Sequence, residues 1–311
     1  MDINPLNWTL STATIFFSRF ALFVCLFGTA TNTFADQQPI IISSASSNYQ
    51  KSLVQSILSN LKNTNIEART IDIDQKKSPE KTNQLIISIG NEAASLLSEK
   101  NIAAPQLRLL TSINQNKKTP SIKGSYLSMT QPVCQQFLLI RLLNEKWKNV
   151  SVLLSEPNPP LSQELKECAT QNKLTLQPVI INQFVNVIDA LNTTLKNSDV
   201  LLALPNPSIY NAKNIKSILL TTYRHRVPVI GFSENFVHAG ALAALHSSTD
   251  QLAKQIKELI IKHYNNENIT KHYIYPKYFD IAINKDVAKS LGIIIPDRKT
   301  LIDKLKNNNH D

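Results

Sequence analysis

Leu85-Ile86-Ile87-Ser88-Ile89-Gly90-Asn91-Glu92-Ala93-Ala94 runs from a short apolar stretch through a single glycine into helix-forming residues. A run this short and this apolar reads as a strand buried on both faces. Residues 93–99 read as the helix that follows. Strand, tight turn and helix in that order are the repeating unit of a parallel α/β sheet.

The same alternation extends in both directions. Upstream, residues 39–43 form an apolar strand, Tyr49, Leu53, Val54, Ile57, Leu58 and Leu61 recur at helical spacing, and 68–73 give a second strand. Downstream, 107–111 is a fourth strand, followed by the polar loop 114–120. The pattern then restarts. A helix over 135–148, a strand over 150–154 and a helix over 161–171 lead to a strand over 174–179 and a helix over 185–195. Strand 200–204, helix 212–223 and strand 227–231 complete a second unit of similar size. The fold class expected is therefore α/β, with two Rossmann-like lobes built on parallel sheets. Trp147 is expected on the outside of the second lobe.

The N-terminus reads differently. Residues 15–27 are apolar with Arg19 inside them, too short a run to span a bilayer comfortably. Small residues then end in Thr33-Phe34-Ala35, a pattern that signal peptidases read, so residues 1–35 are expected to be a signal peptide cleaved after Ala35. An uncleaved membrane tether is the alternative. The bulky Leu22-Phe23-Val24 before Cys25 argues against a lipid anchor on that cysteine. An exported chain meets an oxidising compartment, where Cys134 and Cys168 can form a disulfide or remain as two buried thiols.

Several function classes are disfavoured. The net charge of +10 comes from scattered lysines, which suits a solvated basic surface better than a nucleic-acid groove. None of the six glycines forms a dinucleotide fingerprint or phosphate loop, and no Gly-x-Ser-x-Gly elbow is present. No spacing suggests a metal or cofactor, and no acid–base pair suggests an enzyme. What the strands end in is small and polar: Ser44 and Ser46, Asn91 and Glu92, Ser112, Glu156, and Asn206 with Ser208. The carboxyl ends of parallel strands are where open α/β sheets bind ligands, so these are candidate ligand contacts. Asn91 and Glu92 can equally cap the helix after them, and Asn206, between Pro205 and Pro207, can equally shape a turn. Tyr210 is the aromatic placed against an apolar ligand face.

Several of these segments resemble the ABC-transporter substrate-binding family that includes tryptophan and tyrosine binders. Residues 85–94 are similar to its strand-Ile-Gly-Thr-x-Ala-Ala signature, and 198–206 to its Asp-Ala-(apolar run)-Pro-Thr-Asp. Val227-Pro228-Val229 through Glu234 and Gly240-Ala241 resembles its Ile-Pro-Val block. Residues 279–296 resemble its C-terminal Asn-x-x-Ala-x-x-Leu-Gly block. The resemblance covers most of 38–300. It implies a type I periplasmic-binding fold with a three-strand hinge that closes on ligand. It places lobe one at 36–124 plus 241–272, and lobe two at 125–240 plus 273–311. It also implies a monomeric periplasmic protein that delivers a small ligand to an ABC-importer permease in the inner membrane. A sensory or receptor-associated module and an unrecognised periplasmic enzyme are the alternatives.

Departures from the pattern bear on the ligand. Asn91 stands where the family often has Thr, and Asn206 where it often has Asp. An amide in place of that carboxylate argues against a standard amino-acid ligand, whose ammonium needs a charged partner. Glu234 and His246, the latter beginning a stretch where the family is glycine-rich, complete the candidate contacts; both are residue types that more often serve structure.

Overall fold

Ile86–Ile89 is buried along its whole length and lies inside a six-stranded sheet, as its unbroken apolar run requires. The computed structural model describes residues 38–44, 47–62, 64–73, 84–110, 124–267 and 273–308. The expected signal segment, Ser46 and Ser112 lie outside them.

The chain first supplies β1 (Ile40–Ser43), α1 (Asn48–Leu61), β2 (Arg69–Asp72), β3 (Ile86–Ile89), α2 (Asn91–Glu99), β4 (Gln106–Leu109) and β5 (Gly124–Leu127). It continues with α3 (Val133–Leu143), β6 (Asn149–Leu154), α4 (Pro159–Gln171), β7 (Thr175–Ile180), α5 (Val187–Thr194) and β8 (Val200–Leu202). Next come α6 (Ile215–Arg224), β9 (Val229–Gly231), α7 (Glu234–His238) and β10 (Ala243–His246). The last elements are α8 (Thr249–Tyr264), β11 (Tyr273–Ile274), β12 (Asp280–Ile283), α9 (Lys285–Leu291) and α10 (Arg298–Asn307).

Two six-stranded sheets result, in the orders β11-β5-β4-β3-β1-β2 and β12-β10-β9-β8-β6-β7. All neighbours are parallel except β12, which closes the second sheet antiparallel to β10. Edge positions show in the sequence. Strand β2 buries Ile71 but exposes Arg69 and Thr70, and β7 carries Pro178, tolerable where one side of a strand needs no ladder partner. Apolar clusters cover both faces of each sheet, so each lobe has its own core.

The chain passes between sheets three times, at 128–132, 247–248 and 275–279. These positions differ from the expected boundaries. Residues 243–246 pair with β9 in the second sheet, and Tyr273–Ile274 pair with β5 in the first. Helix α8 belongs with the first lobe: it packs along α1, and Asn60 Nδ2 donates to Asp250 Oδ1 at 2.9 Å.

The crossings are tied to one another. Gln131 Nε2 donates to Ser247 Oγ at 2.8 Å, and Ser247 Oγ donates to the Tyr278 carbonyl at 2.7 Å, so one hydroxyl links all three. Gln255 of α8 holds the third crossing from both sides, donating to the Tyr275 carbonyl at 3.0 Å and accepting from Lys277 N at 2.8 Å.

Two expectations resolve here. Cys134 of α3 and Cys168 of α4 are joined in a disulfide, with their Cα atoms 4.6 Å apart. Trp147 is not on the outside of its lobe. It is 8% exposed and packs in the core with Leu143 and Val150, because the turn after α3 folds the indole back beneath β6, where its large apolar area is removed from water.

Candidate functional site

Parallel strands leave their carboxyl ends on one side of a sheet, and here those ends face each other across the hinge. Leu110 follows β4, Pro205 lies beyond β8, Phe232 follows β9 and His246 ends β10; together with Met129 and Thr130 of the first crossing they line one cavity of about 460 Å³. Tyr49, in the first turn of α1, closes it from the first lobe. That volume lies within the usual range for small-molecule sites. The cavity draws walls from both lobes and from the crossings, so its shape depends on the hinge.

Its lining is apolar and hydroxylic. Tyr49, Leu110, Met129 and Phe232 offer hydrophobic surface, while Thr130, Ser233, Asn235, Ser247, Ser248 and Thr249 offer neutral hydrogen-bonding groups. Ser233 and Ser248 already accept backbone N–H groups as helix caps. Glu234 is the one carboxylate among the described lining residues, which include no lysine or arginine. Tyr49 is 40% exposed, yet its surroundings hold the phenol neutral, its pKa pushed up to about 12 by burial.

Local backbone choices shape the strand ends of the first lobe, of which Leu110 reaches the cavity. Leu110 sits at φ +54°, a left-handed conformation that costs a side chain about 1–2 kcal/mol. Such cost is accepted where surrounding structure fixes a residue in place, often at a site. Gly90, at φ +98°, leaves room for Gln50: a Cβ there would lie 2.7 Å from the Gln50 amide nitrogen. Gln50 in turn accepts from Ser44 Oγ at 3.1 Å.

The sequence candidates separate into groups. Glu234 and His246 do line the cavity. Ser44 is buried at the end of β1. Asn91 and Glu92 are exposed at the start of α2; the capping residue there is Gly90, with no side-chain bond. Glu156 is exposed beyond β6. Asn206 serves its own turn: Oδ1 accepts from Ser208 N at 3.0 Å and Ser208 Oγ at 2.6 Å, while Nδ2 donates to Ser155 Oγ at 3.1 Å. Ser208 is engaged in the same turn. Tyr210 lies beneath the cavity wall, 9% exposed and packed edge-on against Phe232 and Phe236 at 6.0 and 5.6 Å. Its hydroxyl is buried without a hydrogen-bond partner among the described residues. Ser44, Asn91, Glu92, Glu156, Asn206, Ser208 and Tyr210 are thus not among the described lining residues.

Sequence reasoning passed over Tyr49 and Phe232. Tyr49 looked like one more apolar position of an amphipathic helix, although it stands in the first turn after a strand end. Phe232 directly follows β9, and that position was the available signal.

His246 sits at the wall of the cavity, opposite Asp280 in the β10–β12 register. Burial lowers its pKa; Glu234 and Asp280 act to raise it, and Arg298 adds to the lowering. The ring is therefore neutral in the folded protein near pH 7. Because the folded value lies below the unfolded one, this contribution to stability is complete above about pH 6.5 and is lost as pH falls through the folded value. Urea midpoints measured from about pH 7 to about pH 5 should decline, and His246→Gln should remove part of that decline. An unchanged slope in the variant would count against a half-buried neutral histidine. His263, whose pKa burial also lowers, adds a separate part.

Among the described residues, no helix is long and apolar enough to cross a membrane. The chain matches the family model described as ABC transporter substrate binding protein over residues 45–302. No curated protein matches it. Among solved structures, a substrate-binding protein with adhesive properties from Clostridium difficile, in its ligand-free open form, is similar at a TM-score of 0.64 and 20% identity, covering 85% of this chain and 97% of that one. The ABC domain from Streptococcus pneumonia in complex with L-Trp is similar at 0.60 and 16% identity, over 86% of this chain and 98% of that one. A conserved domain protein from Vibrio cholerae gives 0.58 and 19%, over 86% and 98%. At such identities the likeness speaks for the fold: two α/β lobes and a hinge, the type I periplasmic-binding architecture.

Proposed function

Because the chain belongs to the ABC transporter substrate-binding family, we propose that it captures a small organic molecule in the interlobe cavity and delivers it, unaltered, to an ABC importer in the inner membrane. The observation that carries this reading is the composition of the cavity wall, which takes Tyr49 from the first lobe, Phe232 from the second and Ser247 from the hinge. A ligand touching all three is held best at one hinge angle, so binding favours closure. A permease can then distinguish the loaded carrier by the fixed geometry of its lobes.

The lining also limits the ligand. An anion would meet Glu234 and no lysine or arginine among the described lining residues. A neutral or cationic molecule with a planar apolar face suits the tyrosine and phenylalanine surfaces better. We place the mature protein in the periplasm, as a monomer beginning at Asp36.

The test starts with protein released by osmotic shock from cells expressing the full-length gene, its N-terminus sequenced and its melting followed against a metabolite library. A ligand at about a hundred times its dissociation constant should add about 2.7 kcal/mol. Phe232→Ala should weaken that ligand by about tenfold, the loss of one aromatic contact. No response from folded protein to amines, nucleosides, purines or aromatic compounds would rule out this reading.

A further inference from the structure

Behind the interlobe cavity lies a larger one, of about 800 Å³, formed by the last strand, α9 and the segment that leads into α10. The two share Glu234, His246 and Ser248, yet their chemistry differs. The floor of the larger cavity includes Ile281, Ile283, Ile293 and Ile295. Two of these come from Ile293-Ile294-Ile295, an extended run that turns its first and third side chains toward the core and leaves Ile294 91% exposed.

Charge accounting shows what the cavity lacks. Asp280 is paired with Arg298, whose Nε also donates to the Ile281 carbonyl at 3.1 Å. Asp297 caps α10, accepting from Thr300 N at 3.0 Å and Thr300 Oγ1 at 3.2 Å. Glu234 stands 4.0 Å from His238. Asp280 and Asp297 are therefore engaged, and Glu234, its side chain 59% exposed, stands where this lining meets that of the cleft. Lys285 and Lys289 also line the cavity, one helical turn apart on α9, and neither forms an ion pair among the described residues. Two neighbouring ammonium groups beside an isoleucine floor leave a place for an anion with an apolar body.

We propose that this cavity is a second ligand site, separate from the interlobe cleft, that takes a small aliphatic carboxylic acid. The acid's hydrocarbon lies on Ile283, Ile293 and Ile295, and its carboxylate meets Lys285 and Lys289. The lysine stems cover part of the hydrocarbon while their heads stay in water. The cleft, with no lysine or arginine among its described lining residues, does not compete for such an acid.

Titrating 4-methylpentanoate into protein purified from the full-length gene, with methyl resonances followed by NMR, tests the assignment. Saturable shifts are expected at Ile283, Ile293 and Ile295, with the smallest changes at Met129 in the cleft. The exposed double variant Lys285→Gln/Lys289→Gln, and separately the neutral 4-methylpentanamide with the parent protein, should each bind about fivefold more weakly, as expected when a charge-assisted contact is lost. The amide keeps the result readable even if the variant behaves poorly. Absence of a saturable shift, equal binding of acid and amide, or shifts centred on Met129 would each overturn the proposal. None of those outcomes bears on whether the cleft responds to its own ligand.

Discussion

Truncating Phe236 to alanine should lower the unfolding free energy by about 3–5 kcal/mol, the usual cost of removing a buried aromatic ring. The side chain is 4% exposed, stacks on Phe232 with ring centres 5.1 Å apart and meets Tyr210 edge-on. Gly231 is part of the same arrangement, because a Cβ there would overlap the Phe236 ring. The loss should also reach the cleft. Phe232 lines it, and without Phe236 behind it that ring is no longer held in one orientation. Urea unfolding gives the first quantity, and the thermal response to ligand gives the second. A loss below about 1 kcal/mol would mean that the neighbouring rings collapse into the space and that Phe236 does not support the wall.

Opening the Cys134–Cys168 bridge is the second large change expected. The bond closes a loop with a sequence separation of 34 residues, for which the chain-entropy account predicts a stabilisation of about 3–4 kcal/mol. Both ends are held by helices that already pack together, and α10 rests on α3 as well. Reduction should therefore lower the urea midpoint while leaving the native fold intact. The double variant Cys134→Ser/Cys168→Ser should behave as the reduced protein does. If reductant leaves the midpoint unchanged, the native chain does not carry the bridge.

The sequence makes the sheets legible for a physical reason. Strands β3, β6 and β8 are buried on both faces, and that environment admits little besides aliphatic residues. Helix ends were less visible. Helix α3 stops at Leu143, short of the expected 148, because Asn144 turns extended and Trp147 folds inward. The hinge differs from the boundaries that the family resemblance implies, because the pairing of β10 with β9 holds residues 243–246 in the second lobe.

The candidate site was legible in location more than in detail. The expectation of strand carboxyl ends leads to the cavity that Glu234 and His246 line. Polar residues there were weighted as ligand contacts, but short polar side chains beside a turn satisfy local backbone first, as Asn206 and Ser208 do. Large side chains such as Tyr49 and Phe232 have no comparable local use and remain to face the space.

The interleaving of the two lobes along the chain bears on synthesis. The first sheet is finished only when Tyr273–Ile274 arrives beside β5, and the second only when Asp280–Ile283 arrives beside β10. Helix α8, which covers α1, also comes late. A growing polypeptide that has reached residue 240 has neither unit complete, although most of its length exists. Contacts that span so much sequence form slowly, because a long loop must close before they give anything back. If the chain is exported as proposed, threaded across a membrane residue by residue, that delay is useful: it would stay slack enough to pass until its final segment releases both halves to fold together.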